Sequence, residues 1–166
     1  MYLPDPKQTT ALQHNDGRVQ DQLREVRMIK FFKYIESDID NMKFNHWGRI
    51  LKNSKCLRNI KAYLNNSHSY TIYDDKPVAI LSFHEYDKDK YDGCIIADED
   101  FDKNPKYAIK MKWLIKRLIK DFKPERIQTT SEDSPALNKW HEFLGFKLEK
   151  KDYYVKNRIK YNLWGM

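Results

Sequence analysis

Apolar residues recur along this chain at a spacing that changes from block to block, and the changes predict its elements. From Phe31 to Leu64 the positions Ile35, Ile39, Met42, Trp47, Ile50, Leu51, Leu57, Ile60 and Leu64 recur at threes and fours in several stretches. That spacing lines one side of a helix and predicts two or three helices. Ahead of them "VRMIKFF" is apolar enough for a short strand or a helix start. Asn65, Asn66 and Ser67 end the block, and the pattern then changes. "SYTIYDDKPVAILSFHEY" holds two runs rich in β-branched and aromatic residues around "DDKP" and predicts a hairpin. In "YDGCIIADED", Asp92-Gly93 reads as a turn and residues 94–97 as a short buried strand.

Helical spacing returns after Asn104-Pro105. Asparagine is a good helix cap, and proline is tolerated at the first helical position. Ala108, Met111, Ile115, Leu118 and Phe122 form the stripe of this helix, and Pro124 stops it. "RIQTTS" predicts a strand. Ser134-Pro135 opens a second helix, "ALNKWHEFLGF", and "FKLEKKDYYVKNRIKYNLW" supplies two final strands. The order is helices, three strands, helix, strand, helix, two strands. It implies an α/β (α+β) domain, a mixed sheet flanked by helices rather than a bundle. Residues 1–22 show no apolar period and read as an N-terminal arm, which leaves 23–166 as the domain.

Composition narrows the class. A chain of 166 residues is one ordinary domain, long enough to bury a core without staples. With 40% hydrophobic and 14% aromatic residues it is not a disordered chain. No apolar run approaches the ~20 residues of a membrane span, and the first residues lack the basic-then-apolar pattern of a secretory leader. Cys56 and Cys94 form no CxxC, so reduced thiols are expected. His14, His46, His68, His84 and His141 make no ligand spacing, so no metal is expected. No phosphate loop, dinucleotide fingerprint or nucleophile elbow occurs.

Charge adds a candidate surface. The net charge is +7, and residues 103–126 hold nine basic and two acidic residues, a local excess equal to the whole. Such a patch recruits anions: nucleic acid, a phosphorylated cofactor or an acidic protein surface. The competing reading is a solvated helix face.

The element order and "SPALNKWHEFLGF" together resemble the GNAT family of CoA-dependent N-acyltransferases, over roughly residue 26 to the end. Family members often carry N-x-x-A-x-x-F-Y-E-x-x-G-F. Here Trp140, Glu142, Gly145 and Phe146 fit, Ser134 replaces the asparagine, Leu137 the alanine and His141 the tyrosine. That tyrosine is the proposed acid for the leaving thiolate, so the resemblance makes His141 the candidate acid. A glutamate of the early sheet often serves as base, which points to Glu85 in "SFHEY". His84 and Glu85 are adjacent strand residues, so only one of them can face a cleft. The resemblance implies acetyl-CoA as cofactor. The backbone of Ile95, Ile96 and Ala97 would hold the pantetheine, and Lys103, Lys106 and Lys110 the phosphates.

The sequence departs from the family where the pyrophosphate would sit. The family's R/Q-x-x-G-x-G/A is replaced by "DEDFDKNPKYAIK", which has no glycine, loses a donor at Pro105 and carries Asp98, Glu99, Asp100 and Asp102. "KPVAILSF", "CIIADEDF", the lysine-rich helix and "FLGF" are also similar to acyltransferase-like proteins of tailed bacteriophages, some described as internal virion or morphogenesis proteins. Three functions follow as expectations. The first is a degenerate GNAT-fold phage protein of the virion or host cytoplasm, with weak or no CoA binding. It would bind other virion or assembly proteins through residues 1–22 and the basic helix, and no membrane. The second is an active CoA-dependent N-acyltransferase acting on an amine. The third is a nucleic-acid-binding accessory protein. The missing glycines favour the first.

Overall fold

The computed structural model describes residues 29–44 and 54–166. Its elements are β1 (Lys30–Lys33), α1 (Glu36–Asp40), α2 (Ser54–Asn65), β2 (His68–Asp74), β3 (Lys76–Asp87) and β4 (Lys90–Ala97). A 3-10 turn at Phe101–Lys103 leads to α3 (Pro105–Phe122), β5 (Arg126–Glu132), α4 (Pro135–Leu144), β6 (Lys147–Lys156) and β7 (Ile159–Gly165). The strands make one seven-stranded sheet in the order β1-β2-β3-β4-β5-β7-β6. Every neighbouring pair is antiparallel except β4 and β5, which are parallel. Parallel neighbours need a crossover, and α3 is that crossover.

The sheet is covered on both faces, as β3 shows. Its residues 77–83 are buried without alternation, so both faces of the strand meet core. On one face Ala79, Leu81, Phe83, Tyr91, Ile127 and Trp164 pack with Met111, Leu114, Ile115 and Leu118 of α3 and Leu144 of α4. On the other, Ile80 and Ile96 pack with Tyr34, Ile39, Met42, Phe44 and Leu64 around α1 and α2. Each fully buried aliphatic side chain contributes roughly 1.5–3 kcal/mol of transfer free energy.

Helix ends follow the local sequence. The Asn104 side chain accepts from the Lys106 amide at 3.0 Å, and Lys123, at φ 49°, closes α3 in a left-handed conformation just before Pro124. Ser134 Oγ accepts from the Leu137 amide at 3.3 Å to start α4. Gly145, at φ 105°, ends it, a conformation that favours glycine.

The hairpin at Asp74–Lys76, the strands of residues 68–97, α3 after its cap and the last two strands match the sequence reading. Tyr107 and Leu114 join the buried stripe of α3, while Ala108 and Phe122 are half-buried. One reading is corrected. Asp92-Gly93 is not a turn: β4 runs unbroken through it, and the turn lies at Lys88-Asp89. There Asp87 Oδ1 accepts the Lys88 amide, and Asp89 takes φ 55°, a conformation aspartate tolerates. Residues 1–22, residues 26–28 and the helical positions Trp47, Ile50 and Leu51 lie outside the described residues. No helix among the described residues is long and apolar enough to cross a membrane.

Candidate functional site

The sheet opens into a wedge between its two parallel strands. β4 and β5 pair only at Lys90 with Arg126, Tyr91 with Ile127 and Asp92 with Gln128. Beyond that, β4 stays paired with β3 as far as Ala97, and β5 stays paired with β7 as far as Glu132. The two strands therefore part, and residues 93–97 turn one backbone edge towards the gap. Ile95, Ile96 and Ala97 lie along this open edge. Alternation puts Ile95 and Ala97 on the face of α3 and Ile96 on the face of α2.

At the far end of β4 the chain enters the acidic loop, and there most of the backbone donors already have protein acceptors. The amides of Asp98 and Glu99 donate to the carbonyls of Val78 and Lys43, and that of Phe101 to Asp98. The Asp100 amide donates to Asp98 Oδ1 at 3.1 Å. Those of Lys103, Asn104 and Tyr107 donate to Asp100, Phe101 and Asn104, and that of Lys106 to the Asn104 side chain. Asp98 is fully buried and receives the Lys43 amide at 2.7 Å and Lys76 Nζ at 3.0 Å. Lys76 also reaches Asp100 at 2.7 Å, as does Lys103. Lys103 and then Lys76 hold the Asp100 carboxyl down at about 2. A pyrophosphate needs convergent, unspent N–H groups. This loop instead presents carboxylates and amides that already have acceptors.

The three phosphate-binding lysines foreseen from the sequence are placed apart in role. Lys103 pairs with Asp100. Lys106 lies in the first turn of α3, capped by Asn104. Lys110 lies over the rings of Trp113 at 4.9 Å and Phe31 at 5.8 Å.

His141 and Glu85 are not brought together. His141 is buried against β7: its ring stacks on Trp164 with centroids 5.1 Å apart and planes at 16°, and Phe146 meets its edge. Its Nδ1–H donates to the Leu137 carbonyl at 2.7 Å, which leaves Nε2 as the lone-pair nitrogen. Desolvation lowers its pKa, against the Leu137 bond, so the ring is held neutral and suits a base better than an acid. Glu85 is exposed near the β3–β4 turn, where its Oε1 accepts the Asp89 amide at 3.0 Å. β3 and β7 are three interstrand spacings apart, about 14 Å.

Opposite α2, at the closed end of the wedge, sits a polar group whose position the sequence alone did not disclose. His84 and Asp92 are directly paired across β3 and β4, on the face opposite Glu85. Asp92 Oδ1 accepts Gln128 Nε2 at 2.9 Å, and Gln128 Oε1 accepts Arg126 Nε at 3.2 Å. Arg126 in turn pairs with Glu149. The His84 ring packs on Tyr63 at 5.0 Å. Ser67 gives its proton to the Tyr63 carbonyl at 2.6 Å, so towards His84 Nδ1, at 3.2 Å, it can only accept. His84 thus carries its proton on Nδ1, which leaves Nε2 as the lone-pair nitrogen. The adjacency in "SFHEY" was the available signal: His84 continues the alternation of Ile80 and Ser82. Asp92 was hidden by its reading as a turn.

Cys94 also points to this face, and burial pushes its thiol up to about 11, away from nucleophilic use. The Tyr34 hydroxyl is buried here without a hydrogen-bond partner among the described residues. No group of His, Cys, Asp or Glu among the described residues could hold a metal ion.

A splayed parallel pair in a seven-stranded mixed sheet with helices on both faces is the GNAT fold, and solved structures agree. An acetyltransferase (GNAT family) from Bacillus anthracis matches with a TM-score of 0.64 at 12% identity, over 84% of this chain and 94% of that one. An IAA acetyltransferase from Bacillus cereus matches with 0.61 at 12%, over 83% and 98%. A dodecameric spermidine N-acetyltransferase from Vibrio cholerae matches with 0.60 at 11%, over 84% and 94%. Likeness at these identities is a likeness of fold. No family model and no curated protein matches the chain.

Proposed function

We propose that this chain is a GNAT-fold protein whose nucleotide subsite has become internal structure, and that it serves as a binding or assembly protein with weak or no CoA affinity. One observation carries this: most of the amides that would cradle a pyrophosphate already donate to protein acceptors, at Val78, at Lys43 and within the loop around the buried Asp98. Freeing them means breaking hydrogen bonds and exposing carboxylates to phosphate charge. The likeness of "KPVAILSF" and "CIIADEDF" to tailed-phage proteins supports a place among virion or assembly proteins, with other such proteins as partners. Calorimetry with acetyl-CoA is the test. Binding is expected to be weaker than ~100 μM and to fall steeply with salt. Low-micromolar, salt-insensitive binding overturns the proposal.

The second reading, transfer of an acyl group from CoA to an amine, is favoured by the open β4–β5 wedge and by His84, paired across the strands with Asp92. In that chemistry the amine would lose its proton to the base on the α2 face and attack the thioester carbonyl; the C–S bond would break, and the CoA thiolate would leave and take up a proton from solvent. Acyl transfer in that case would be detected with the same protein and acetyl-CoA.

A further inference from the structure

The exposed side of α3 is built differently from a merely solvated helix face. Lys106, Ile109, Lys110, Trp113, Lys116, Arg117 and Lys120 recur at threes and fours and form one stripe. From Lys103 to Lys120 the sequence has no acidic residue. At the middle of the stripe Trp113 stands 47% exposed, with Ile109 at 63% a turn before it. Phe31, on the edge strand β1, meets Trp113 with ring centroids 5.7 Å apart. Lys110 and Arg117 both lie over these two rings, Arg117 at 5.2 Å from Phe31 and 5.6 Å from Trp113. Aromatic quadrupoles thus hold two cations beside an open indole. Asp121 meets Arg117 at 3.7 Å with both groups half exposed, a weak contact.

We infer that this stripe binds single-stranded nucleic acid. Unpaired bases offer flat π-faces that stack on indole and guanidinium, and their backbone supplies phosphates at short intervals for a row of cations. A duplex hides those faces. An acidic protein surface would use the lysines but has no specific use for an exposed Trp113 braced by the half-buried Phe31 between them. The centre of the site, Phe31 and Trp113, lies on β1 and the middle of α3, with Lys106 at the end next to the acidic loop, and the inference does not depend on CoA binding.

The test is a fluorescence-anisotropy titration of the full chain with labelled oligothymidylate and oligouridylate at several salt concentrations. Binding of either supports the inference, and the stronger of the two names DNA or RNA. The logarithm of affinity should fall with that of salt at roughly 0.7 per phosphate contacted, a slope of about −3 for four or five cations. Trp113→Ala should weaken binding about 10-fold or more. Lys110→Gln with Arg117→Gln should flatten the slope by about 1.4, and this variant keeps the test open if Trp113→Ala does not fold. Failure to bind either oligonucleotide at low salt overturns the inference. So does equal binding of polyglutamate with no loss in Trp113→Ala, which would assign the stripe to acidic proteins.

Discussion

Lys76 Nζ stands 3.0 Å from the fully buried carboxylate of Asp98, and the same ammonium reaches Asp100 at 2.7 Å. One lysine at the start of β3 therefore fastens the loop that leads from β4 to α3. Its own pKa is raised, by the hydrogen bond to Asp100 first and Asp98 next. Asp98 accepts two amides as well, from Lys43 and Asp100, so its charge is distributed over a preformed set of donors. The acids that looked in the sequence like repulsion against a cofactor are a structural keystone here.

Lys76→Met should therefore destabilise the fold. Removing one partner of a buried pair costs about 3–5 kcal/mol. Half-exposure of the lysine and the two remaining amide donors reduce that to about 1–3 kcal/mol. Asp100→Asn, at the exposed end of the same network, should cost clearly less, because solvent screens that end. Urea denaturation of the two variants checks the order. A Lys76→Met chain as stable as Asp100→Asn would show that the amides alone hold Asp98.

His141 should leave a pH signature in stability. Its folded pKa lies below the usual 6.5 because burial against Trp164 and Phe146 penalises the cation. The unfolded chain then binds the proton more readily, so stability rises with pH across that window. The contribution is fully present above about 6.5 and is lost as pH falls below that towards the lowered folded value. His141→Phe keeps a ring against Trp164 and removes the titration. Denaturation at pH 7.5 and 5.5 should show a smaller pH difference in the variant than in the parent. An equal difference would place the pH dependence elsewhere.

The fold was legible because its signals are local and redundant. Asn104-Pro105, Ser134-Pro135 and Gly145 fix where α3 and α4 begin and end, and the apolar spacing of Met111, Ile115 and Leu118 fixes which side of α3 is buried. The candidate site was less legible, for two physical reasons. Asp-Gly is a strong turn signal, yet pairing of Asp92 with His84 and Gln128 on its two sides keeps that dipeptide extended, so a carboxylate of the wedge passed as a turn. Choosing between His84 and Glu85 needed the register of β3, which depends on how many residues the Lys88-Asp89 turn consumes. Internal use of the loop amides could not be read at all, since their acceptors at Lys43 and Val78 are distant in sequence. The missing glycines pointed to the same outcome without showing its mechanism.

Under the second reading, acyl transfer assayed at saturating acetyl-CoA with a primary amine should depend on the α2 face of the wedge and not on Glu85. His84 Nε2 is the basic nitrogen, because Ser67 accepts from Nδ1. Asp92 lies directly across from it, fixed by Gln128. Loss of a general base typically costs ~100-fold or more, so His84→Ala and Asp92→Asn should each lower kcat by that order. Glu85→Gln should leave kcat within about 2-fold, since that side chain is exposed on the opposite face and bonded to the Asp89 amide. Ser67→Ala separates positioning from packing. It removes the acceptor that sets the His84 tautomer while leaving the ring on Tyr63, so it should shift the pH–rate profile more than it lowers stability. The opposite pattern, with turnover lost in Glu85→Gln and kept in His84→Ala, would move the chemistry to the face of α3 and α4 and leave the His84–Asp92 pair a structural contact.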